Sequence, residues 1–205
     1  MSTKRLLILG FGGHARSVAN IALSCGYHDL LFVDPNAQEG ESFVGHPAIG
    51  QFDSELYAEW DLFPGAGENL RRREQCWQIR SLGLIPATLI SPRASIGQGA
   101  IVSPGCLVGH HAHLGPMSRI GEGCIINTGA IVEHESTVGD FSHVSVNATI
   151  AGRTRLGSLS MLGAGATIID GLSVCDRVTI GAGAMVHRSI HVAGTYVGVP
   201  AKRVR

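Results

Sequence analysis

The stretch Ile131–Val132–Glu133–His134–Glu135–Ser136–Thr137–Val138–Gly139–Asp140–Phe141–Ser142–His143–Val144 sets Val132, Val138 and Val144 six residues apart. Carrying the same step outward, from Ile90 to Val192, meets only Ile, Leu or Val at eighteen consecutive positions. The residue two places earlier is usually small, as at Ala94, Cys106, Ala112, Ser118, Cys124, Ser136 and Ser142. Glycine often follows the aliphatic residue, as at Gly97, Gly109, Gly115, Gly139 and Gly157. A period of six fits neither the helical repeat of about 3.6 residues nor a hairpin meander, whose turn signals are missing. It fits a solenoid of short parallel strands in which three hexapeptides close one triangular coil. The aliphatic and small residues then point inward and stack on their counterparts one coil away. This predicts a parallel β-helix over residues 86–205, its inward column running unbroken to Val192, with Cys106 and Cys124 as stacked core thiols.

Residues 1–85 have a different rhythm. Leu6–Leu9 reads as a strand, Gly10–Phe11–Gly12–Gly13–His14 as a tight turn, and Ala15 to Ser24 as an amphipathic helix. A second strand, Leu30–Val33, ends in Asp34–Pro35, and a third is expected at Asp61–Phe63, before the loop Pro64–Gly65–Ala66–Gly67. Glu68 to Arg80 reads as a charged helix with Arg71, Arg72 and Arg73 on its solvated face. The unit is an α/β half-Rossmann domain of βαβαβ type. Gly10, Gly12 and Ala15 opening a helix, with Asp34 closing the next strand, come close to a dinucleotide fingerprint. Glycines let the backbone approach a phosphate drawn to the helix N-terminus, and the acid can accept from a ribose hydroxyl or a base. About 85 residues supply only half of a doubly wound fold, which disfavours a full NAD site and an oxidoreductase. A mononucleotide or one end of a nucleotide-sugar fits better; a turn cluster without ligand is the alternative.

The bulk numbers narrow the class. Lys plus Arg equal Asp plus Glu at 16 each, so no general attraction to nucleic acid is expected. No stretch is long and apolar enough for a membrane span. Five scattered cysteines without CxxC spacing point to reduced thiols and a cytoplasmic setting. His110, His111 and His113 alternate between faces, so no metal site is expected there or elsewhere.

Position within the coil locates the exposed polar groups. His134 and Gly152 share one edge, one coil apart, and Ala164 and Ala182 share another. His134 and His143 are half a coil apart, so they point to opposite sides of one chain. A cyclic oligomer, expected to be a homotrimer with active sites between subunits, would bring one chain's His134 edge against the next chain's His143 edge. The Gly-Ala-Gly-Ala runs at 163–166 and 181–184 would leave a narrow groove for a thin ligand such as pantetheine. Asn127 stands where many repeats carry glycine and is expected to line the acceptor pocket.

The Glu133–His134–Glu135 segment, the Gly139–Asp140–Phe141–Ser142–His143 segment, the glycine turn, Asp34 and the closing Val197–Gly198–Val199–Pro200–Ala201–Lys202 together resemble the hexapeptide-repeat acetyltransferases of bacterial sugars. These comprise the UDP-4-amino-sugar N-acetyltransferases and the sialic acid O-acetyltransferases. The resemblance implies a left-handed β-helix and acetyl-CoA as co-substrate. It also implies His134 as general base, with Glu135 raising its basicity, and His143, Gly152, Ala164 and Ala182 as acetyl-CoA contacts. Gly12, Gly13, His14, Asp34 and Gly67 match the nucleotide-sugar site. Two departures lie in that pocket: Pro35 stands where a second acid is common, and Gly12 where a serine is common. The expected activity is N-acetylation of a nucleotide-linked amino sugar for surface-glycan assembly. Sialic acid O-acetylation is the alternative, and a non-catalytic solenoid platform a remote one. No cysteine sits beside His134, which favours direct transfer over an acyl-enzyme.

Overall fold

The computed structural model describes residues 4–53, 57 and 59–205. It divides into two compact units, residues 1–89 and 90–205.

In the first unit, the strand β1 (Lys4–Leu9) is followed by helix α1 (Gly13–Ser24), β2 (Tyr27–Val33), β3 (Ser42–Phe43), β4 (His46–Ile49), β5 (Asp61–Pro64) and α2 (Asn69–Ser81). The sheet order is β3-β4-β2-β1-β5, with β1 parallel to both β2 and β5. β1 is fully buried from Leu6 to Ile8, as a central parallel strand covered on both faces must be. The connection from β2 to β5 carries the β3–β4 hairpin, which the sequence reading did not include. Its two-residue turn, Val44–Gly45, has positive φ at both positions, and β-branched valine gives little hint of that conformation. Chain order reverses around β1, because β2 lies on one side and β5 on the other. The crevice at the carboxyl ends of these strands is where such sheets bind ligands.

The second unit is the parallel β-helix. Strands with inward residues at Val108, Ile126, Val144 and Leu162 form its first face; those at Leu114, Val132, Ile150 and Ile168 the second; those at Ile120, Val138 and Leu156 the third. Each strand pairs in parallel with the one eighteen residues on, as Ile131 does with Thr149 and His143 with Met161. Every inward aliphatic residue from Val108 to Val186 is buried. The ends depart from the expectation. Ile96 remains 43% exposed in the first coil, and Val192 is 54% exposed. Ile190, not Val192, pairs with Val174, and Tyr196 pairs with Ile180, so the last coil is two residues short.

The small inward residues form three corner columns. One is alanine throughout: Ala112, Ala130, Ala148, Ala166 and Ala184 are all buried. In another, Cys106 and Cys124 are stacked core thiols that donate to the Gly121 and Gly139 carbonyls. Ser142 continues this column, donating to the Gly157 carbonyl at 2.7 Å and accepting from the Ser160 amide at 3.0 Å. No disulfide joins the five cysteines.

Candidate active site

In the first unit, a cavity of about 230 Å³ is lined by Gly10, Gly12, Gly13, His14, Asp34, Gly65, Ala66, Gly67, Glu68, Arg71 and Gln75. The residues expected to hold a nucleotide-sugar, Gly12, Gly13, His14, Asp34 and Gly67, therefore line one cavity. An adjoining hollow of about 460 Å³ shares Gly10, Arg71 and Gln75 with it and adds Pro35, Gln51, Phe52, Glu74 and Gln78. Asp34 holds the cavity's shape. Its Oδ2 accepts from the Phe11 amide at 3.1 Å and its Oδ1 from the Asn36 amide at 3.0 Å. Those hydrogen bonds, Asn36 foremost, and the nearby Arg71 keep its carboxyl below the usual range, against a smaller opposing effect of burial. Burial, reinforced by the Arg72 charge, pushes the His14 imidazole down to about 4, so it is neutral near pH 7.

The sequence reading placed Arg72 on a solvated face; it is 1% exposed. Its guanidinium donates to the carbonyls of Ala66 and Gly67 and to Asn69 Oδ1, pinning the β5–α2 loop against the helix. Arg71 does face solvent, near Asp34. Gln75 was missed altogether. Its Nε2 donates to the Leu9 carbonyl and its Oε1 accepts from the Ala66 amide, bridging the two loops that frame the cavity. Only glycine fits at 65, where a Cβ would come within 2.6 Å of the Leu9 carbonyl oxygen.

In the second unit, His134 and Glu135 sit on the turn between the second and third faces, both solvent-accessible. His134 Nδ1 lies 3.2 Å from Glu135 Oε2. An ionised carboxylate only accepts, so in the neutral ring this contact puts the proton on Nδ1 and leaves Nε2 with its lone pair. Gly152 lies one coil along the same edge, directly over the imidazole. His143 lies on the first face, opposite this edge, within reach of Asn127 (Nδ2 to Nε2, 3.2 Å). The Asn127 amide is oriented by its Oδ1, which accepts from the Thr128 amide at 2.8 Å. Ala164 and Ala182 are exposed turn residues stacked on the edge between the first and second faces, where the Gly183 amide donates to the Ala164 carbonyl. The fold thus separates the expected residues into two groups. His134, Glu135 and Gly152 form one; Asn127 and His143, on the first face, and Ala164 and Ala182, on its adjoining edge, form the other. Among the described residues no three or more His, Cys, Asp or Glu side chains converge as a metal site. His110 instead pairs with Ser91 Oγ at 2.6 Å. No described helix is long and apolar enough to cross a membrane.

The family profile described as the PglD N-terminal domain matches residues 5–79. The acetyltransferase domain of PglB from Neisseria gonorrhoeae FA1090 is 31% identical, with a TM-score of 0.91 over 98% of this chain and 100% of that one. The chain belongs to the hexapeptide-repeat acetyltransferases of bacterial sugars. The same PglB domain has been solved with acetyl coenzyme A; that structure is 32% identical to this acetyltransferase. A histidine-to-alanine variant of GDP-perosamine N-acetyltransferase from Caulobacter crescentus, solved with CoA and GDP-perosamine, is 28% identical. Its TM-score is 0.90 over 98% of this acetyltransferase and 97% of that chain. No curated sequence matches.

Proposed function

We propose that this acetyltransferase moves the acetyl group of acetyl-CoA to the amine of a nucleotide-linked amino sugar, with His134 as general base, as a step in surface-glycan assembly. The observation that carries the reading is the His134–Glu135 contact, which leaves Nε2 as a proton acceptor. A sugar amine is mostly protonated near neutral pH and attacks a thioester only once it has lost a proton. In the proposed step His134 Nε2 takes a proton from the ammonium, the freed nitrogen lone pair attacks the thioester carbonyl, and the adduct's second N–H proton passes to solvent. The C–S bond then breaks, CoA leaves as its thiolate, and the imidazolium returns the proton to sulfur. Glu135 stabilises the imidazolium and holds the tautomer.

The glycine-lined cavity of the first unit supports a nucleotide-linked acceptor, which a free sialic acid would not need. Two structures of one relative, the Caulobacter crescentus GDP-perosamine N-acetyltransferase, solved with CoA and GDP-perosamine, support the same class. The placement of His143, Ala164 and Ala182 away from His134 supports a homotrimer with each site built from two chains. Cysteines without a disulfide fit a reducing, cytoplasmic compartment. The test is product analysis. Incubation with acetyl-CoA and a panel of UDP- and GDP-linked amino sugars should release CoA thiol and add one acetyl mass to an acceptor, on nitrogen. Acetylation of free sialic acid with none of the nucleotide-sugars used would reject the reading.

A further inference from the structure

Gly152 is a buried residue at a turn position that recurs every six residues along the solenoid. From Gln98 to Arg188 that position holds Gln, Pro, His, Glu, Thr, Asp, Val, Ser, Ala or Arg, and glycine only at 152. The turn therefore accepts side chains of every size. The backbone at Gly152 does not demand glycine either, because its φ is outside the left-handed range, unlike that of Gly165 or Gly171. What excludes a side chain is the imidazole one coil below. A Cβ at 152 would stand 2.5 Å from His134 Nε2, 2.6 Å from Cε1 and 3.1 Å from Cδ2, and these are its three nearest neighbours. Contacts that short force one partner to move. The ring is the mobile one, since His134 is about half exposed and the backbone around Gly152 is tied into the ladder. The Arg153 amide donates to the His134 carbonyl at 2.9 Å, and the Gly171 amide to the Gly152 carbonyl at 2.9 Å.

We propose that Gly152 is a positioning residue whose missing side chain is the seat of the His134 ring. It lets the imidazole lie against the next coil with Nδ1 on Glu135 and the Nε2–Cε1 side of the ring over Gly152. This rests on the reading of His134 as the base. It goes further by assigning the empty space at 152 to the base's orientation, distinct from any main-chain contact with acetyl-CoA. A ring displaced by about 1 Å loses its alignment with the amine, and such displacements cost up to about 10²-fold in rate.

The experiment is a double-mutant cycle on the full-length protein, with kcat and the KM for acetyl-CoA measured for Gly152→Ala, His134→Ala and the pair. Gly152→Ala alone should lower kcat at least about ten-fold with KM unchanged. In the His134→Ala background the same substitution should change kcat less than about two-fold, because the ring it displaces is gone. An equal loss in both backgrounds, or a rise in KM that carries the whole effect, would assign Gly152 to the cofactor and overturn the proposal. Normal kcat for Gly152→Ala would overturn it too, leaving the base in place; normal kcat for His134→Ala would remove both readings. Where Gly152→Ala lowers the melting temperature, adding His134→Ala should restore it. A loss that persists without the ring contradicts the seat.

Discussion

At the scale of single residues, chemistry was legible where spacing alone set the environment. His134 and Glu135 are adjacent on an exposed turn, so the sequence already put an imidazole beside a carboxylate, and the 3.2 Å contact follows. Arg72 and Gln75 were illegible for the opposite reason. An arginine within Arg71–Arg72–Arg73 reads as solvated, and its burial depends on the β5–α2 loop folding back to offer two carbonyls. His14 carries a consequence that can be measured. Its pKa is lowered to about 4 from 6.5, so the unfolded chain binds more protons between those values. Stability contributed by neutral His14 is then fully present above about pH 6.5 and is lost as pH falls toward 4. The size is on the order of 3 kcal/mol. Denaturant titrations from pH 7 to pH 4 should show a shallower acid slope for His14→Gln than for the parent protein. Parallel slopes would mean that the imidazole is not held neutral.

At the scale of the element, the hexapeptide is a backbone device as much as a pattern of apolar residues. Every sixth residue from Gly99 to Gly183 has a positive φ, including His111, Glu135, Asn147, Arg153 and Leu159. The left-handed backbone at Glu135 is therefore the ordinary turn of this solenoid and no sign of strain peculiar to the site. The inward small residues behave unequally, and that difference is a prediction. Ser142 gives one buried hydrogen bond and receives another, so Ser142→Ala should cost about 1–3 kcal/mol by removing both. Ser118 is equally buried, but its Oγ has no hydrogen-bond partner among the described residues, so Ser118→Ala should be neutral or stabilising. Urea unfolding of the two variants checks this, and equal losses would refute it. The shortened last coil was not legible because Ile190 and Val192 are both aliphatic. The six-residue step selects Val192, and only pairing with Val174 selects Ile190.

At the scale of the molecule, the solenoid's three-faced closure could be read from the aliphatic residues in step, although the eighteenth of them, Val192, falls outside the ladder. The assembly is a proposal that follows from the site. His134 faces away from His143, Ala164 and Ala182 within one chain, so the account requires neighbouring chains to complete each site. Light scattering should show a trimer. Mixing inactive His134→Ala chains with inactive His143→Ala chains, then refolding, should recover part of the activity, because some interfaces pair two intact edges. Full activity of a dilute monomer would refute the shared site. The central claim, transfer with His134 as the base, is tested most directly by kcat of His134→Ala across pH. The account predicts a fall of about 10²–10⁴-fold near neutral pH, with acetyl-CoA affinity and stability little changed and with the loss shrinking as the amine deprotonates unaided. A kcat within about two-fold of the parent at every pH would contradict it, since a general base is worth far more than that.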